Sequence, residues 1–183
     1  MYNSAKAAHI MAYLALKTTG RCLAKLKGTK LVYLADREAA KLYGMPMLDE
    51  VRFSLPKGPI VQETCDRANP YRSDPDWKKI FADDSLTVKS DITVDDLDEL
   101  SDADAEILDD IWSRFGQMSG EDLSHWSHQP ENIPEWEDPN GSRTPISLER
   151  LLQAAGVERP AARAEFIEDH NRIERLFADL AYA

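Results

Sequence analysis

Apolar residues recur at three- and four-residue spacing through most of this chain, and only briefly at a spacing of two. Ala7, Ile10, Met11, Leu14 and Ala15 share one face behind Ser4, which is placed to cap a first helix that Gly20 closes. From Leu23 to Tyr43 the pattern is apolar on more than one side, through Leu31, Val32, Leu34, Ala35, Ala39 and Leu42. That breadth predicts a central core helix, stopped by Gly44 and Pro46. The period then changes: Val51, Phe53 and Leu55 alternate with Arg52 and Ser54, which predicts a half-buried strand with the apolar set inward. Pro59 stands where it can open a helix over 60–67, since proline fixes the first helical dihedral and lacks an amide that would go unpaired there. Asp74-Pro75 predicts a capped helical turn carrying Trp77 and Phe81. Leu86 with Val88, and Ile92 with Val94, predict two short strands that complete an antiparallel sheet with 51–55.

The second half carries the most specified signals. Ser101 followed by Asp104 reads as a helix cap with a carboxylate reaching the orphan amides of the first turn. Ala105, Leu108, Trp112 and Phe115 follow on one face, and Gly116 stops the helix. Ser119 with Glu121 and Asp122 starts another, which runs through Leu123, His125, Trp126 and His128 into a loop rich in Pro, Asn and Gly over 129–143. A loop of that length is functional or is packed by its own side chains, here Trp136. Thr144-Pro145 predicts the start of a helix with Leu148, Leu151 and Leu152, ended by Gly156. Pro160 opens a long polar helix to about Tyr182, with Phe166, Ile173, Leu176, Phe177 and Leu180 in a narrow apolar stripe. The predicted fold is mainly α (α+β): one helical domain over 1–156 with a small antiparallel β-sheet inserted, then an amphipathic helix over 157–183.

Leu123, Ser124, Ser127, His128 and Gln129, then Pro134 and Trp136, resemble the second motif of the Panacea domain, the SocA-like antitoxin family that also includes phage-associated proteins. Lys30-Leu31-Val32-Tyr33-Leu34-Ala35 resembles that family's tyrosine helix, Gly44-Met45-Pro46-Met47 its glycine-proline turn, and Gly58-Pro59-Ile60-Val61 its Gly-Pro element. The resemblance covers about 5–155. The chain departs from the family pattern in three places: Asp36-Arg37 replaces His-Gly, Lys57 replaces a tyrosine, and Glu135 separates the Pro-Trp pair. The resemblance implies structural roles for Lys30, Tyr33, Gly58, Pro59, Leu123, His128 and Trp136. In particular it has the His128 ring nitrogens tie the helix end to the following loop, while Trp136 plugs the same corner. It also implies neutralisation of a co-encoded toxin by direct contact or, alternatively, delivery of a client to a AAA+ protease. It implies no catalysis and no cofactor.

Charge sharpens this picture. Of the net −11 of the 183-residue chain, all is accounted for by the window 83–110, where twelve acids face Lys89 alone. The first 45 residues are basic by contrast, with eight Lys or Arg against Asp36 and Glu38. The acidic window, with Asp95, Asp96 and Asp98 at its centre, is either a solvated face or a patch that speeds encounter with a basic partner; it disfavours nucleic-acid binding. No apolar run approaches the roughly 20 residues of a membrane span, and no secretory leader opens the sequence. With Cys22 and Cys65 too few and unpatterned for a disulfide framework, the expected compartment is the cytoplasm.

Candidate chemistry is thin. His125 and His128, with Glu121, Glu131 or Cys65, lack the second paired ligand motif that zinc needs, so no metal is expected. There is no nucleophile elbow, and Gly28-Thr29-Lys30 is a phosphate-loop fragment without its upstream glycine. An enzyme is therefore not expected. The stripe of the last helix has two readings, as a face docked on its own domain or as anchors offered to a partner groove.

Overall fold

The structure is a computed structural model and describes residues 2–72, 74–82 and 85–181. Within them lie eight α-helices, α1 (Ser4–Leu16), α2 (Lys25–Tyr43), α3 (Gln62–Arg67), α4 (Pro75–Ile80), α5 (Asp102–Phe115), α6 (Gly120–Ser127), α7 (Leu148–Ala154) and α8 (Pro160–Ala181). Three short strands, β1 (Arg52–Leu55), β2 (Gly58–Val61) and β3 (Thr144–Ile146), form one antiparallel sheet in the order β2-β1-β3. The fold is mainly helical with a small sheet, as the hydrophobic spacing predicts.

Helix α2 is the hub, packed by α1, α5, α6, α7 and β2. Its side chains are buried without a break from Gly28 to Asp36, which is why its apolar positions spread around the helix. Helix α1 is buried from Ala7 to Ala15, and its small alanines let α2, α4 and α5 approach closely. The cap of α1 is Asn3, whose side chain accepts from Lys6 N, and not Ser4; Ser4 Oγ bonds Asp74 instead. The helix also ends at Leu16, short of Gly20. Helices α5 and α6 begin as their sequences require, with reciprocal capping boxes between Ser101 and Asp104 and between Ser119 and Asp122.

The sheet departs from expectation in three ways, each for a non-local reason. Its strand β1 is inverted: Arg52 and Ser54 are buried, Phe53 and Leu55 are half-buried, and Val51 is 57% exposed. Arg52 is drawn inward because Asp36 on α2 offers a buried carboxylate 2.6 Å from Nε. Pro59 does not open a helix but lies in β2 opposite Ser54, and α3 starts only at Gln62. Proline is tolerated there because β2 is an edge strand. The third strand comes from Thr144–Ile146, where a helix start was expected, and not from 86–94. Residues 87 and 88 make only isolated bridges, to Cys22 and Phe81. Val94 opens a 3-10 turn, and the Arg21 guanidinium holds the Lys89 and Ile92 carbonyls that a strand would have paired.

Gly58 closes the two-residue turn between β1 and β2 at φ +92, and a Cβ there would lie 2.3 Å from Ser127 Oγ and 2.7 Å from Lys30 Nζ. Gly58→Ala is expected to cost about 2 kcal/mol, from the left-handed backbone and from displacement of two buried polar groups. A lowered urea midpoint at unchanged slope would show it; an unchanged midpoint would mean that the turn relaxes freely.

Candidate partner-binding surface

The corner around this turn is built from three distant stretches of chain. The Leu55, Lys57 and Pro59 carbonyls of the hairpin are taken, respectively, by Trp136 Nε1 at 3.1 Å, Ser124 Oγ at 2.9 Å and Lys30 Nζ at 3.0 Å. Leu123 beside them is fully buried. The His128 ring packs on Trp136 with centroids 4.6 Å apart, and its buried Nε2 has no hydrogen-bond partner among the described residues. The Pro56 carbonyl of the hairpin faces the His128 ring, and the Trp126 carbonyl ties down the following loop by accepting from Gln129 N and Asn132 Nδ2. Burial, and after it the charge of the nearby Lys30, holds the His128 imidazole below its ordinary pKa. Burial pushes the Lys30 amine down to about 7.

A second buried layer lies beneath. Tyr33 Oη and Arg37 Nε both donate to Glu135 Oε1, at 2.8 and 2.7 Å, while Glu135 Oε2 has no hydrogen-bond partner among the described residues. Burial and the Glu135 charge push the Tyr33 hydroxyl well above its ordinary value, so it stays a donor. Asp36 accepts from Leu48 N and Arg52 Nε, and Arg52 also donates to the Leu48 and Glu50 carbonyls. Glu50 accepts from the Thr64 amide and hydroxyl, and burial raises its carboxyl to about 7. Asp36 and Arg52 thereby hold the segment 45–55 onto α2, and Glu50 holds it to α3.

Helix α8 is attached along one side only. Its Ala164 and Ile167 are buried, Arg163 Nε donates to Gly44 O at 2.8 Å, and Arg175 pairs with Asp49 at 3.1 Å. Beside this attachment a cleft of about 1090 Å³ is lined by Tyr43, Met45, Val51, Ile146, Ile167 and Arg175. At roughly 100° per residue, the stripe of Phe166, Ile173, Leu176 and Phe177 lies nearly opposite Ala164 and Ile167. These four side chains are 60%, 51%, 59% and 67% exposed. The side chain of Leu180 lies outside the described residues. Tyr43, Met45 and Val51, also exposed, escape a reading of the sequence; the inverted phase of β1 is what turns Val51 outward.

Much of the acidic window is engaged internally. Asp96 closes a capping box with Thr93, Asp104 pairs with Lys6, Asp109 with Lys17 and Tyr13, and Asp110 with Arg114. Asp95 is exposed without a partner among the described residues, and Asp98, 87% exposed, lies 3.8 Å from His9. Asp83 and Asp84 lie outside the described residues. Among the described residues no group of His, Cys, Asp and Glu is placed to hold a metal ion. No helix of the described residues is long and apolar enough to cross a membrane.

Residues 29–137, more than half of the chain, match the family model described as antitoxin SocA-like, Panacea domain. The chain belongs to the SocA-like Panacea family. No curated protein and no solved structure matches it. The matched stretch of this Panacea protein contains the whole motif corner, from Lys30 to Trp136, and membership supports an antitoxin role in general. Helices α1, α7 and α8 lie outside it. Three of the positions that depart from the family pattern enter the buried pairings: Asp36 holds Arg52, and Arg37 holds the inserted Glu135. Lys57, the remaining departure, is exposed and lies 3.5 Å from Glu121.

Proposed function

We propose that this Panacea protein is a non-catalytic antitoxin that acts in the cytoplasm, binding a toxin encoded next to it stoichiometrically and blocking it. The observation that supports this is the stripe of α8: four large apolar side chains, each more than half exposed, on a helix whose opposite face is pinned to the domain. Apolar side chains held in one row on a helix pinned to the domain lose little entropy on binding, and binding energy concentrates in such anchors. Asp95 and Asp98 supply an exposed negative field that speeds approach of a basic toxin.

The test is to express the neighbouring open reading frame in a bacterial host with and without this protein, scoring growth and co-purification. Rescue with a stable complex is the expected result; rescue with disappearance of the neighbour protein would instead favour delivery to a AAA+ protease, and absence of toxicity and of a complex would overturn the reading. Within the complex, Phe166→Ala with Phe177→Ala is expected to raise the dissociation rate at least tenfold, since two hot-spot aromatics are worth at least about 1.4 kcal/mol together. Asp95→Lys with Asp98→Lys is expected to slow association, most at low salt, and leave dissociation nearly unchanged. Asp96 is left out of that variant because its carboxylate closes the Thr93 capping box. Unaltered rates in both variants would place the contact elsewhere.

A further inference from the structure

The stripe of α8 has a seven-residue repeat with one break in it. Ala162, Phe166, Asp169, Ile173, Leu176 and Leu180 follow one another at alternating spacings of four and three, the seam of a helix that packs lengthwise on another. Five of the six are apolar, and the exception, Asp169, falls in the middle. Its side chain is 54% exposed and its ionic contact is with Arg172 of the same helix at 3.1 Å, so the carboxylate stands on the rim of the open face. Nothing in the packing of α8 on the domain uses it, because the domain is met by Ala164 and Ile167 on the other side.

We infer that Asp169 closes this seam to a second copy of the chain and reserves it for a heterologous partner that presents a lysine or arginine opposite position 169. The inference rests on the stripe being the partner-binding element and specifies what binds there. In a parallel pair of α8 helices, Asp169 meets Asp169 of the other copy, and two carboxylates are desolvated face to face. In an antiparallel pair it is laid against Ile173 or Phe166 of the other copy, neither of which offers a counter-charge. Either arrangement desolvates a carboxylate whose counter-charge is only the exposed Arg172 of its own helix, the kind of repulsive element that makes an interface selective. A cation on the facing surface turns the same residue into an attractive contact. The strongly acidic balance of the whole chain points the same way, toward a basic partner and against self-association.

Sedimentation of the full chain over a wide concentration range is the first test. The wild-type protein is expected to remain a monomer of 20.7 kDa, whereas Asp169→Leu, with a continuous apolar seam, is expected to form a concentration-dependent dimer. Adding Ile173→Asp to that variant is expected to return the monomer. A wild-type dimer that Phe177→Ala dissolves would overturn the inference, and so would an Asp169→Leu variant that stays monomeric at every concentration. The cation is tested by mixing wild-type chain with the Asp169→Lys variant, each monomeric alone: a heterodimer is expected, and its absence would overturn that part. Against the neighbouring gene product, Asp169→Glu is expected to bind as wild type and Asp169→Arg at least tenfold more weakly; equal binding by both would overturn the inference. If wild type does not bind that product at all, the antitoxin reading fails, while the sedimentation and mixing results still decide the role of Asp169.

Discussion

Replacing Arg52 by leucine is expected to lower the unfolding free energy by about 3–5 kcal/mol, the cost of stranding one partner of a buried ion pair. Asp36 is 1% exposed and would keep only the Leu48 amide, and the Leu48 and Glu50 carbonyls would also lose their donor. Native proteins hold only about 5–15 kcal/mol in total, so the loss would be a large share and would drop the melting temperature by about 10 °C. The double variant Asp36→Leu with Arg52→Leu is expected to recover part of the loss, since the uncompensated carboxylate is gone while the backbone groups remain unpaired. Urea unfolding of wild type, both single variants and the double decides it. Equal stability of Arg52→Leu and the double would show that the stranded charge is not the source. The pair also matters to the surface: Arg52 ties down the segment that carries Met45 and Val51 beside α8, so its loss is expected to loosen that wall of the cleft.

A stability minimum near neutral pH is the second large effect. The Glu50 carboxyl is raised from 4.5 to about 7 by burial. Between those values the folded state binds more protons than the unfolded chain, so stability falls as pH rises from 4.5 to 7. The Lys30 amine is lowered from 10.5 to about 7, also by burial. Here the unfolded chain binds more protons between 7 and 10.5, so stability climbs across that window. At 1.36 kcal/mol per pH unit the swings are about 3 kcal/mol on the acid side and about 5 on the basic side. Asp104 and Asp109, held below their ordinary values by hydrogen bonds and by Lys6 and Lys17, lose their contributions only below the ordinary carboxylate range, outside both windows, whereas His128, held below 6.5 by burial, opposes the Glu50 fall just below pH 6.5 because the unfolded chain binds more protons there. Melting temperatures of wild type, Glu50→Gln and Lys30→Met across pH 5, 7 and 9 separate the two limbs. Glu50→Gln should remove the fall on the acid limb and Lys30→Met most of the rise on the basic limb, to which Lys27, also lowered by burial, adds a share; a wild-type maximum at neutral pH would show that Glu50 and Lys30 are not as fully buried as the structure has them.

The family motif looks different once it is seen folded. Read along the chain, Lys30, Gly58-Pro59, Leu123-Ser124, His128 and Trp136 are separate marks; in space they converge on one hairpin. Its carbonyls at 55, 57 and 59 are each taken by a different motif segment. The resemblance could therefore be recognised from residues alone, while the reason for it could not. The same holds for the departures from the pattern, which look like isolated changes until Arg37 is found on Glu135 and Asp36 on Arg52.

Much of what is governed by neighbours within a turn was legible in the sequence by itself, though the ends of α1 were not, because Ser4 is drawn to Asp74 and leaves the cap to Asn3. The capping boxes at Ser101 and Ser119, the helical class of the chain, the length of α2 and the apolar stripe of α8 all follow from residues a few positions apart. What only the tertiary structure decided depends on partners far away in sequence. The phase of β1 was set by Asp36, 16 residues from Arg52, which outweighed the outward pull on a charged side chain. Pro59 fits both a helix start and an edge strand, and pairing with β1 chose the strand. The third strand came from 144–146 because that segment reaches β1, whereas the carbonyls of 89 and 92 were already held by Arg21. The direction in which the α8 stripe faces was decided last, by Ala164, Ile167 and Arg163 docking the opposite side. A periodic pattern specifies that a helix has two faces; only packing decides which one remains for a partner.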